Sequence, residues 1–153
     1  MPQRAPDDHW DRAWRAAAAC PDLLSDLKDL YDCLDAELAA APVTCDRCGR
    51  CCNFRQFGHR LYVTPAEGAL LLQGPSPNPA LVRTGCCPYL CGARCAVRGR
   101  RTLGCRVFFC RAGESASAQV YEKYHLRIRE LHQTHCVPYA YVEFDQLIQS
   151  ILC

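Results

Sequence analysis

Fourteen cysteines in 153 residues constrain this chain more than any other feature. At about 9% of the sequence, they must be accounted for as disulfides, metal ligands or reactive groups. Spacing separates these choices. Cys45-Asp46-Arg47-Cys48-Gly49-Arg50-Cys51-Cys52 sets a two-residue gap twice and then doubles the last cysteine. Such a gap lets two sulfurs converge on one ion, and the glycine after Cys48 allows the positive φ that a tight knuckle needs. A second group follows: Cys86, Cys87, Cys91, Cys95, Cys105 and Cys110. An even cysteine count in a small protein also suits an extracellular disulfide scaffold. Met1 to Trp10, however, is polar and acidic, lacking the apolar stretch that a secretory signal carries. The expectation is therefore a cytoplasmic protein with reduced thiols. No run of about 18 apolar residues is present, so no membrane span is expected.

Zinc and iron both accept four tetrahedral thiolates, so spacing leaves the metal open. Bacterial ferredoxins share the C-x2-C-x2-C start, but their fourth cysteine comes three residues later and precedes proline. Cys52 follows Cys51 at once, which excludes that pattern. Consecutive side chains leave a backbone in different directions, so Cys51 and Cys52 are not expected to be equivalent ligands of one ion. Cys51 would complete a site begun by Cys45 and Cys48, while Cys52 turns toward the downstream group.

The formal net charge of +2 is unevenly spread. Residues 1–41 hold four basic and nine acidic side chains, whereas residues 44–111 hold eleven arginines, no lysine, and only Asp46 and Glu67 as acids. A nucleic-acid surface is one explanation, but no nucleic-acid-binding motif accompanies the arginines, and nucleic acid is not the expected partner. The preferred explanation is compensation. Four thiolates on one ion carry net negative charge, and nearby guanidinium groups offset it and lower thiol pKa values. Arg47, Arg50 and Arg106 neighbour the cysteines in sequence and are expected to tune the polarity around the sulfurs.

The chain reads as one domain in three segments: 1–42, 44–111 and 115–153. In the first, Trp10, Trp14 and Ala17 keep helical spacing, and Pro21 can open a second helix. Leu23, Leu27, Leu30, Leu34 and Leu38, widened by Leu24 and Tyr31, then form an apolar stripe that ends before Ala41-Pro42. That stripe either packs in the core or docks a protein partner. Cys33, on the same helix, is expected to be a buried small apolar side chain. The middle segment reads as knuckles, turns and short strands around one helix. Thr64-Pro65-Ala66-Glu67 opens that helix as a capping box, giving Glu67 a structural role, and Gly74 ends it. In the third segment Val120, Tyr124, Ile128 and Leu131 share a stripe, with Ser115 or Ser117 as candidate cap. Pro138 breaks the chain before a closing helix through Phe144, Leu147, Ile148 and Ile151. His132, His135 and Cys136 would suit zinc but lack a fourth ligand, so the histidines read as surface residues. The fold expected is mainly α with short strands: helices around an irregular, metal-stabilised cysteine core.

Taken in order, several blocks make one longer pattern over about residues 44–111. They are Cys45, Cys48, Gly49, Cys51 and Cys52; Val63-Thr64 with Glu67; Cys87-Pro88 with Leu90; Cys95; and Arg101 with Cys105, Arg106 and Phe108. The pattern resembles the YkgJ-like cysteine-cluster family, a group expected to chelate zinc or iron. Thr102 stands where that family has proline and Arg98 where it has an aromatic residue. The resemblance implies Cys45, Cys48, Cys51, Cys52, Cys87, Cys95, Cys105 and Cys110 as metal ligands; Cys86 and Cys91, which neighbour the motif, are alternatives. They would form two four-thiolate sites or one polynuclear cluster. The cofactor implied is an iron–sulfur cluster or iron, with zinc as the alternative, in a redox or cofactor-related role. A zinc-stabilised protein-interaction module is a second reading. A part of an iron–sulfur-dependent modifying enzyme is a third, because flagellin lysine methylases share a similar cysteine cluster.

Overall fold

A proline at the first turn and leucines at helical spacing build α2 (Pro21–Ala39), which buries Leu23, Leu24, Leu27, Leu30, Tyr31 and Leu34. Proline fits there because its missing N–H is one that a helix start leaves unbonded anyway. Before it, α1 (Asp8–Ala18) buries Trp10, Ala13 and Ala17. The computed structural model describes residues 8–40, 49–58, 60–107 and 114–152; Pro42, Cys45, Arg47, Cys48, Cys110 and Cys153 lie outside them.

At the centre is α4 (Pro65–Leu72), buried from Pro65 to Leu71. A helix apolar on every side belongs inside a bundle. The expected capping box forms: Glu67 N–H donates to Thr64 Oγ1 at 3.4 Å, and Thr64 N–H donates to Glu67 Oε2 at 2.8 Å. Two apolar clusters meet on this helix. In one, α2 packs against Ala66, Ala69 and Leu70, against α6 (Leu103–Val107), and against Tyr124 and Ile128 of α7 (Glu114–Thr134). The stripe that could have docked a partner is thus taken up by the chain's own core. Cys33 is exposed, not buried as its helix membership suggested, because the stripe passes through Leu30, Tyr31 and Leu34 and leaves it on the solvent side.

The other cluster joins Trp10, Val63, Leu71, Tyr89 and Val97 to Phe144, Leu147 and Ile148 of α8 (Phe144–Leu152). A two-residue antiparallel ladder brings the last segment there, pairing β1 (Tyr62–Val63) with β4 (Val142–Glu143) in the register Tyr62↔Glu143 and Val63↔Val142. Phe144 N–H extends the contact by donating to the Leu61 carbonyl at 2.8 Å. The helix α7 begins at Glu114, ahead of both Ser115 and Ser117, so neither serine occupies the cap position.

His132 is buried, which corrects its reading as a surface residue. Its Nδ1–H donates to the Val137 carbonyl at 3.2 Å, and its Nε2 accepts the Ala66 N–H at 3.4 Å. The ring joins the end of α7 to the start of α4. His135 Nε2 instead lies 2.6 Å from Asp26 Oδ2, and Cys136 is exposed. The architecture is mainly helical with short strands. Among the described residues, no helix is long and apolar enough to cross a membrane.

Candidate functional site

Gly49 opens the site. Its φ of +74° is a left-handed conformation that only glycine adopts freely, and it starts the 3-10 turn Arg50–Cys52. Cys52 N–H closes that turn on the Gly49 carbonyl at 3.1 Å. The turn sits against the second cysteine block: a β-carbon at position 49 would lie 2.6 Å from the Ala93 carbonyl oxygen. Two backbone bonds then tie the blocks together. Cys87 N–H donates to the Cys52 carbonyl at 2.7 Å, and Arg55 N–H donates to the Gly85 carbonyl at 3.1 Å. The short α3 (Phe54–Phe57) lies between them, with Asn53 Oδ1 accepting the Gln56 N–H at 3.1 Å.

Downstream of α5 (Pro79–Arg83), Ala93 belongs to a hairpin of β2 (Leu90–Cys91) and β3 (Arg94–Cys95). Gly92 has φ +61°, as two-residue hairpin turns require of their first position. Pairing sets Leu90 opposite Cys95 and Cys91 opposite Arg94. Because strand side chains alternate in direction, Cys95 and Cys91 belong to different faces. Cys91 is exposed and Cys95 half-buried.

The last described cysteine of the motif, Cys105, rides on α6. That helix is placed by Glu67, whose Oε1 accepts the Leu103 N–H at 2.7 Å and the Tyr31 hydroxyl at 3.2 Å. Burial pushes the Glu67 carboxyl above its usual range, and its hydrogen bonds from Leu103, Thr64 and Tyr31 pull it back only in part. Arg106 is held on the opposite side of α6. Its guanidinium donates to Asp35 at 2.7 Å and to the Gly99 and Arg101 carbonyls at 2.8 and 2.9 Å, and it stacks 4.0 Å over the Tyr31 ring.

Together these elements enclose a cavity of about 750 Å³. Cys51, Cys52, Cys87, Cys95 and Cys105 all line it. These are the five expected ligands that the described residues include; Cys45, Cys48 and Cys110 lie outside. The other five described cysteines, Cys20, Cys33, Cys86, Cys91 and Cys136, do not line it. All ten are free thiols. Among the described residues, no three donors of His, Cys, Asp or Glu stand at a spacing that would hold an ion.

Cys52 occupies the joint between the two blocks. Its thiol interacts with that of Cys51, which lowers its pKa, and with that of Cys87, which raises it. Desolvation and the nearness of Cys87 and Cys95 add to the rise, leaving Cys52 at about 12. Cys105 is likewise pushed up to about 12, mainly by burial, with Cys52 and Cys95 contributing. Crowded thiols hold their protons because each thiolate would repel the next; a cation among them reverses that balance.

Arginine placement differs from the sequence expectation. Arg106 is engaged with the α2 helix, Arg50 is absent from the cavity wall, and Arg47 lies outside the described residues. Arg60, Arg94, Arg98 and Arg101 line the wall instead. Burial, then the charges of Arg98 and Arg106, press the Arg101 guanidinium below its usual pKa, while Cys105 and Cys95 act the other way. For Arg106 the difference comes from α6, which turns successive side chains to different sides. Compared with family models, with curated proteins and with solved structures, the chain shows no significant match.

Proposed function

We propose that this chain is a cysteine-cluster metal protein of the YkgJ-like kind, holding an iron–sulfur cluster or iron for redox or cofactor-related work. One observation carries the reading. Every described cysteine of the motif lines one cavity, and every described cysteine outside the motif is absent from it. Thiols are the donors common to iron, zinc and iron–sulfur groups, so this donor set fits such a group. A single tetrahedral ion takes four ligands, so the eight cysteines of the motif would make two four-thiolate sites or one polynuclear cluster.

The group would supply electron transfer or Lewis acidity. The chain's own residues would hold it: Cys51 with the upstream knuckle, Cys52 between the blocks, and Cys87, Cys95 and Cys105 from the downstream side. Arg101 would offset thiolate charge from beside Cys105. Anaerobic purification followed by metal analysis and visible spectroscopy tests the proposal. Iron at one or more equivalents, with thiolate-to-iron absorption, is expected. Stoichiometric zinc in a colourless protein would replace iron by the structural-zinc alternative, and protein that takes up neither metal would overturn the reading.

A further inference from the structure

The cavity wall carries charge of one sign. Among the described residues four arginines line it, and no aspartate or glutamate does. Arg60 is paired with Glu143 at 3.2 Å, and Arg101 donates to the carbonyls of Arg98 at 3.1 Å and Cys105 at 3.4 Å. The side chains of Arg94 and Arg98 make no hydrogen bond or ion pair with other described residues. Tyr89 also lines the cavity, only 3% exposed, and its hydroxyl has no partner among the described residues. A buried hydroxyl without a partner costs about 1–3 kcal/mol, so it marks a place where an acceptor is missing. The unengaged arginines offer donors alone, and the Tyr89 hydroxyl can donate with them.

Leu61, Leu71, Val97 and Phe144 give the wall an apolar stretch, alongside the polar side chains of Thr102, Ser117 and Tyr121. A volume of about 750 Å³ falls within the roughly 300–1,000 Å³ of small-molecule sites and exceeds the needs of thiolate-bound ions. The geometry points to a small organic anion, a phosphate or carboxylate on an apolar body, as the ligand of this cavity. Its charged end meets Arg94 and Arg98, Tyr89 donates to it, and its body lies along the apolar wall beside the thiols. The inference rests on the metal reading in one respect, that ligand and metal share the cavity.

Calorimetric titration of the full, metal-reconstituted chain tests it, with phenyl phosphate, phenylacetate and neutral phenol as probes. At least one anion binds saturably at one per chain, and phenol binds at least about tenfold more weakly, as expected for loss of a charge-assisted contact. Whichever anion binds more tightly names the head group. Arg94→Gln and Arg98→Gln each weaken that anion about tenfold and leave metal content unchanged. The proposal is overturned if neither anion binds saturably, or if both arginine variants bind the anion as tightly as the parent. Metal content read on the same samples separates the two claims. Fully metallated protein that binds no anion refutes the ligand alone, whereas metal-free protein that binds the anion refutes the metal reading alone.

Discussion

Glu67 Oε1 takes the backbone N–H of Leu103 at 2.7 Å, so a carboxylate on the central helix sets where the Cys105 helix begins. Its other oxygen, Oε2, accepts the Thr64 N–H at 2.8 Å and the Thr64 hydroxyl at 2.9 Å. Both oxygens therefore face a backbone donor. A glutamine here must turn its –NH2 toward one of those N–H groups, whichever way the amide is flipped. Glu67→Gln is expected to cost about 1–3 kcal/mol, the range for a buried donor left unpaired. Thermal melting would register a drop of roughly 2–4 °C per kcal/mol for a chain of this size. An unchanged melt would mean that the carboxylate does not position α6.

His132 predicts a pH dependence. Its two bonds require the neutral ring protonated on Nδ1, since Nε2 accepts from Ala66. Burial lowers its pKa below the usual 6.5, against the opposing pull of backbone bonds to Val137 and Pro138. Between the depressed folded value and about 6.5, the unfolded chain binds more protons than the folded one. Stability is thus fully present above about 6.5 and falls as pH drops through that window. His132→Gln, which can donate and accept without charging, should flatten the loss of urea midpoint between about pH 7 and pH 5. Equal slopes in parent and variant would exclude His132 as the source.

Gly49→Ala should damage the cysteine turn directly. The added β-carbon meets the Ala93 carbonyl oxygen at 2.6 Å, and the left-handed φ adds strain of about 1–3 kcal/mol. Gly99→Ala is the control, because its β-carbon meets nothing within 4 Å. The first variant is expected to lose stability and metal together, and the second to stay within about 0.5 kcal/mol of the parent. Denaturant melts with metal analysis on the same samples would show both.

The two adjacent cysteines should behave differently. Cys52 interacts with Cys51 on one side and with Cys87 on the other, and it also senses Cys95. Cys52→Ser is expected to deplete metal throughout the cluster, and Cys51→Ser to remove only part of it. Metal stoichiometry with sulfur-edge spectroscopy distinguishes these outcomes. If both variants release the same single ion and keep everything else, Cys52 does not join the blocks.

What the sequence made legible was local. Pro21, the Thr64–Glu67 box and the left-handed Gly49 each follow from bonding within a few residues, and each appears where expected. The five described cysteines that line the cavity are those singled out by the resemblance to a known family, while spacing alone left Cys86 and Cys91 beside them as alternatives. Long-range facts were not. A two-residue ladder such as β1–β4 has too little periodicity to announce a partner 80 residues away. Cys33 was misplaced because it sits on a helix with a buried apolar stripe, although that stripe runs past it. His132 gave no sign of burial because its partners, Ala66 and Val137, lie on other elements or beyond its helix. Arg106 looked like a cysteine neighbour, but its guanidinium crosses to Asp35 on α2.

The most direct test of the metal reading is metal per chain after anaerobic reconstitution with ferrous iron and sulfide, across single cysteine variants. Serine replacements of Cys51, Cys52, Cys87, Cys95 and Cys105 should each lower bound iron, whereas alanine replacements of Cys20, Cys33, Cys86, Cys91 and Cys136 should leave it at the parent level. Iron binding that is absent from the parent, or that falls equally in both sets, would contradict the account.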